Sequence, residues 1–224
     1  MQKVSFVVQT GEIEGVLHLP ETTTIGGCAV LHGYGGHPDQ PHIVATCIAL
    51  ADAGVAALRF PYRDHQPPRM TLETALADAA GAIRLLKAHP AVPEKLGVVG
   101  FSFGGTVAAI VAGRDSRIRA AVLAAAPALA EPHFKAWSNE GKWKPVAELS
   151  RTRARVLLIW GSRDTQVPIE NADRYRTVLL QARVTNTLVV VEGANHDFEP
   201  AAARDKMTAA VAAWVSESFT GVPK

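Results

Sequence analysis

Three residues of this chain, Ser102, Asp164 and His196, have the types and the order that nucleophilic acyl transfer requires. A serine hydroxyl is a weak nucleophile until a base takes its proton, and the base needs an acid to orient its ring. Ser102 stands in Gly100-Phe101-Ser102-Phe103-Gly104-Gly105, after the apolar run Leu96 to Val99 and before the small-residue run Thr106 to Ala112. A strand-to-helix turn this sharp leaves no room for side chains two residues either side of the serine. The turn would hold the hydroxyl proud of a sheet at a helix N-terminus. There the backbone N–H of Phe103 can meet a developing oxyanion, aided by the helix dipole.

The base and the acid follow in the chain order Ser, Asp, His. Asp164 sits in Gly161-Ser162-Arg163-Asp164-Thr165-Gln166-Val167-Pro168, directly after an apolar run ending at Trp160. His196 sits in Gly193-Ala194-Asn195-His196-Asp197, after a run ending near Val191. Parallel strands place their C-terminal ends at one sheet edge, so loops after three strands converge on one crevice. A second oxyanion donor is expected from Leu31-His32-Gly33-Tyr34-Gly35-Gly36, with the backbone N–H of Tyr34 as the candidate. Asp197 reads as a loop or helix-cap residue. Asp64, after the fourth strand, is the alternative acid.

Substrate contacts are expected from His32 and Val167, and from Phe134, Trp137 and Trp143. The three aromatics could equally pack their segment onto the body. His32 is also placed to support the oxyanion loop by hydrogen bonding. His32, His37 and His42 with Asp39 fit no common zinc spacing, so they read as ordinary loop histidines. No metal or cofactor is expected. Arg63, Lys135, Lys142 and Lys144 read for the most part as solvated charge. Trp160 and Trp214 read as core.

The elements that must position these residues follow from hydrophobic pattern. Val4 to Gln9 and Glu12 to Leu19 alternate, with Gly11 between them, which predicts a hairpin. Strands are expected at Cys28 to Leu31, Val55 to Phe60, Leu96 to Phe101, Ile118 to Ala125, Arg155 to Trp160 and Thr187 to Val191. Helices are expected at Ile43 to Ala53, Leu72 to Ala88, Gly104 to Ala112, Asn171 to Gln181 and Ala202 to Val215. Alternation of this kind predicts an α/β fold, with a mostly parallel sheet and helices on both faces. Residues 127–150 exceed a normal connection and read as a short cap or lid on a single domain spanning 1–224.

Composition narrows the class further. The chain has 224 residues, about half apolar and a fifth charged, with a formal charge of +2. Its basic residues are scattered, which speaks against a nucleic-acid partner. No window approaches a membrane span, and Met1 to Gly11 lacks a secretory apolar core. The two cysteines, Cys28 and Cys47, fall in a strand and a helix pattern. Two buried thiols and a cytoplasmic location are the resulting expectations.

Four motifs together resemble the α/β-hydrolase superfamily over nearly the whole chain. They are His32-Gly33-Tyr34-Gly35-Gly36, Gly100-x-Ser102-x-Gly104-Gly105, the Asp164 loop ending Val167-Pro168, and His196. Within it, the chain is similar to small bacterial esterases of the dienelactone-hydrolase-like and feruloyl-esterase-like groups. The resemblance implies a carboxylesterase that cleaves short- to medium-chain acyl esters of small molecules through an acyl-enzyme on Ser102. Acyl thioester and amide or peptide hydrolysis use the same machinery, and a non-catalytic binding protein could share the fold. Dienelactone hydrolases proper use cysteine where Ser102 stands. Arg59-Phe60-Pro61-Tyr62-Arg63-Asp64-His65 replaces a glycine-rich arginine-aspartate motif common in feruloyl-esterase-like relatives. The insertion at 127–150 is also shorter than theirs, so a more open site for small acyl groups is expected.

Overall fold

The computed structural model describes residues 1–8, 11–63, 70–128 and 144–221. It contains an eight-stranded sheet in the order β1-β2-β4-β3-β5-β6-β7-β8. The strands are β1 (Gln2–Val8), β2 (Gly11–His18), β3 (Gly26–Leu31), β4 (Val55–Arg59), β5 (Leu96–Phe101), β6 (Ile118–Ala124), β7 (Arg155–Gly161) and β8 (Asn186–Val191). β1 pairs antiparallel with β2, and β2 antiparallel with β4; every later pairing is parallel. This is the expected α/β-hydrolase architecture, with the N-terminal hairpin supplying the antiparallel edge.

The described residues form six helices: α1 (Pro41–Asp52), α2 (Leu72–Ala88), α3 (Phe103–Arg114), α4 (Pro145–Leu149), α5 (Glu170–Gln181) and α6 (Ala201–Thr220). The period of two along each strand divides the core between the faces. Ala29, Leu31, Val98, Ala121 and Leu158 pack with α2 and α3 on one face. Val30, Val99, Val122 and Ile159 pack with α1 and α6 on the other. Central strands are therefore nearly continuous apolar runs rather than alternating, with the exposed Arg119 near the start of β6 as the exception.

Helix ends obey local chemistry. α2 begins at Leu72 because Thr71 and Thr74 bond reciprocally across its first turn. α1 starts at Pro41, two residues before the expected Ile43, since a missing N–H costs nothing in a first turn. α6 runs five residues past the expected Val215, to Thr220. Its last turn carries Phe219, whose ring lies against Gly26 and Gly97: a Cβ on Gly26 would stand 2.4 Å from it. The helix stops where Gly221 adopts φ 75°.

Most of the expected cap, residues 129–143, lies outside the described residues. Its described end forms α4, which docks on the C-terminal turn of α3, where a Cβ on Gly113 would stand 2.0 Å from the Glu148 carbonyl oxygen. That is the end of α3 remote from Ser102. No described helix is long and apolar enough to cross a membrane. Cys28 and Cys47 are both buried and unbridged.

Candidate active site

Ser102 occupies the turn between β5 and α3 with φ 52° and ψ −120°, a conformation that side chains rarely adopt. The surroundings over-determine it. The Ser102 N–H donates to the Ala124 carbonyl at 2.8 Å, and the Ser102 carbonyl accepts from Gly105 and Thr106 at 2.8 and 3.2 Å. A Cβ on Gly100 would lie 2.1 Å from the Gly104 carbonyl oxygen. One on Gly104 would lie 2.4 Å from the Leu31 carbonyl oxygen. Both glycines are thus required for close backbone approach, and α3 starts one residue earlier than expected, at Phe103.

The loop after β7 carries Asp164. Its Oδ1 accepts from the backbone N–H groups of Gln166 and Val167, each at 2.9 Å. Its Oδ2 lies 2.8 Å from His196 Nδ1. A carboxylate only accepts, so Nδ1 carries the proton and Nε2 is left to act as a base. The Asp164 side chain is 1 % exposed and that of His196 12 %. Trp160, fully buried, donates from Nε1 to the Val167 carbonyl at 3.0 Å and ties the loop to the core.

The loop after β8 carries His196. It packs directly on the Asp164 loop, since a Cβ on Gly161 would stand 2.4 Å from the Ala194 carbonyl oxygen. The Arg163 N–H donates to that same carbonyl at 2.9 Å. Asn195 closes the turn, its Oδ1 accepting from the N–H groups of Asp197 and Glu199. Asp164 is therefore the acid bonded to His196. Asp197 is a loop residue that reaches the cavity wall, and Asp64 lies outside the described residues.

The loop after β3 approaches Ser102 from the other side; a Cβ on Gly33 would stand 3.3 Å from Ser102 Cβ. His32 is fully buried within that loop and is not a wall of the cavity. Its Nδ1 donates to the Gly33 carbonyl at 2.8 Å, and its Nε2 accepts from the Tyr62 N–H at 3.3 Å. The Gly33 carbonyl also accepts from Gly36 N–H at 3.1 Å. Tyr34 packs edge-on against Phe103, ring centroids 5.8 Å apart.

Ser102 and His196 share one cavity of about 300 Å³. Tyr34, Phe101, Gln166 and Val167 contribute to its wall, as do Gln40, His42 and Asp197. Of the expected substrate contacts, Val167 lines this cavity. Phe134, Trp137 and Trp143 lie outside the described residues. His42 corrects the sequence reading: it is a helical residue of α1, 6 % exposed, with its ring on Phe101. Arg63 is another correction, since it is no solvated charge but bonds the fully buried Asp78 through Nε at 2.8 Å. Neither was legible locally, because the partner comes from a distant element in each case. Among the described residues no group of three or more His, Cys, Asp or Glu is arranged to hold a metal ion.

This fold recurs among solved structures. Est1E from Butyrivibrio proteoclasticus superimposes with TM-score 0.82 at 19 % identity, covering 98 % of this chain and 99 % of its own. The esterase domain of a Rhodothermus marinus protein gives 0.77 at 21 % identity over 96 % and 98 % of the two chains. A dienelactone hydrolase from Anabaena variabilis gives 0.75 at 23 % identity over 95 % and 96 %. None of the curated proteins matches the chain in sequence. The family model of the dienelactone hydrolases, however, matches residues 64–220, a span that includes Ser102, Asp164 and His196. By that match the chain belongs to the dienelactone hydrolase family.

Proposed function

We propose that the protein is a serine carboxylesterase that cleaves short acyl esters of small molecules through an acyl-enzyme on Ser102. One observation carries the reading: strained Ser102, at the N-terminus of α3, shares a cavity with a histidine whose far nitrogen is bonded to a buried carboxylate. Family membership supports hydrolase chemistry.

His196 Nε2 takes the Ser102 proton as Oγ attacks the ester carbonyl. Asp164 stabilises the imidazolium that forms and keeps its ring in register. The oxyanion is met by the N–H groups of Phe103 and Tyr34. Phe103 is the first residue of α3, where the helix dipole is most positive. His32 and Gly36 hold the Gly33 carbonyl from one side. A trans peptide sets N–H opposite C=O, so the Tyr34 N–H is turned to the other side. His196 then protonates the departing alcohol, and water repeats the sequence on the acyl-enzyme.

A cavity of about 300 Å³ lies at the small end of ligand sites and supports short acyl chains. The test is hydrolysis of p-nitrophenyl esters from acetate to laurate, with Ser102→Ala as control. Activity that peaks at a short chain and disappears in the variant is the expected result. Activity that survives in Ser102→Ala contradicts the proposal.

A further inference from the structure

The cavity wall contains a buried polar side chain, that of His42, which the acyl-transfer steps leave unused. His42 lies on the first turn of α1, 6 % exposed, with its ring centroid 4.9 Å from that of Phe101. Neither ring nitrogen has a hydrogen-bond partner among the described residues, although nearly every buried polar side chain in a folded protein has one. Nor are the nitrogens sealed in the core. Among the described residues Tyr62 Oη is the one enclosed side-chain polar atom without a partner. The nitrogens of His42 therefore reach open space, and the space that His42 lines is the cavity holding Ser102 and His196.

We propose that His42 is a specificity-determining residue, whose imidazole receives a hydroxyl group carried by the substrate. The proposal rests on the esterase reading and deepens it. An imidazole offers one donor and one acceptor, and a hydroxyl is the small group that can answer either. Burial keeps the ring uncharged, pushing its pKa down to about 4, so both functions persist at neutral pH. A hydrocarbon substrate would displace water from His42 and leave its nitrogens without a partner, which penalises that substrate. Gln166 and Asp197 add polar groups to the same wall. The preferred esters are accordingly short and hydroxylated.

The hydroxyl can sit on the acyl or on the alcohol part, and two matched pairs separate these. One is p-nitrophenyl 3-hydroxybutyrate against p-nitrophenyl butyrate; the other is 2-hydroxyethyl butyrate against propyl butyrate. The quantity read is the ratio of kcat/KM within each pair. A hydrogen bond of ordinary net strength gives about a tenfold preference for the hydroxylated member of one pair. His42→Phe keeps a flat ring against Phe101 and brings that ratio to within about twofold of one. His42→Gln, which retains a donor and an acceptor, restores part of it. A purely structural role for His42 would change both members of a pair equally and leave the ratio standing. No preference in either pair, or one that survives His42→Phe, overturns the subsite. Both results are read on enzyme already cleaving butyrate esters, so they leave the esterase reading intact.

Discussion

A Cβ on Gly104 would stand 2.4 Å from the carbonyl oxygen of Leu31 and 2.6 Å from that of His32. The first turn of α3 and the end of β3 therefore touch through bare backbone. That contact sets how closely the Tyr34 loop approaches Ser102.

Gly104→Ala must push these two segments apart. Overpacking of this kind costs about 1–3 kcal/mol of stability. Because it displaces the loop that carries the proposed oxyanion donor, Tyr34, ester turnover should fall by about 100-fold or more. Gly193→Ala is the contrast. Gly193 has φ 78° but nothing within 4 Å of its would-be Cβ, so only backbone strain of about 1–2 kcal/mol applies. Thermal melts and turnover on both variants check the pair. Equal turnover would mean that the Gly104 contact does not position the site.

Asp164→Asn should lower kcat by about 10³–10⁴-fold while leaving the fold intact. The amide preserves an acceptor for the N–H groups of Gln166 and Val167 but can turn its NH2 toward His196. The ring is then held in the wrong tautomer. A near-normal rate with a native circular dichroism spectrum would remove Asp164 from the mechanism.

Stability should decline in mild acid. His18 is pushed down from 6.5 to about 4 by burial first, and then by the Arg59 guanidinium beside it and the N-terminus. His42 is pushed down from 6.5 to about 4 mainly by burial; Asp197 and Glu199 oppose the shift, and His196 and Arg204 add to it. Both folded values lie below the unfolded value, so the unfolded chain binds more protons. The stabilisation is complete above about pH 6.5 and is lost as pH falls toward 4. The urea midpoint should hold steady from pH 8 to 7 and drop between 6 and 4. His18→Gln, which can still accept from Arg59 Nε, should make the drop shallower. An unchanged midpoint at pH 4.5 would contradict the burial of neutral rings.

Neither thiol should react in the native protein. Burial pushes Cys47 up to about 12 and Cys28 higher still, so almost no thiolate exists near neutrality. An aromatic disulfide reagent at pH 8 should titrate no thiol in the native state and two after unfolding. Fast reaction of a native thiol would show that its strand or helix opens readily.

How far the sequence carried depended on whether a feature was local. The Ser102 turn was legible because its glycines answer a steric demand within four residues. The order of Ser102, Asp164 and His196 could be placed because parallel strands put their loops at one edge. α2 was legible because its apolar stripe is continuous from Leu72 to Leu86. What escaped was decided by distant partners. α6 is long because Phe219 finds room over Gly26 and Gly97, from strands far away in the chain. His42 is buried because α1 lies on Phe101. Arg63 is held by Asp78, fifteen residues on and on another element. Periodicity carries no record of such pairings.

The proposed role of Ser102 as nucleophile is checked by treating the native protein with a fluorophosphonate and mapping the adduct by peptide mass spectrometry. One phosphonyl group is expected, on Ser102, formed slowly in Asp164→Asn and absent in Ser102→Ala. An adduct on another residue, or none under conditions that label a known serine esterase, would contradict it.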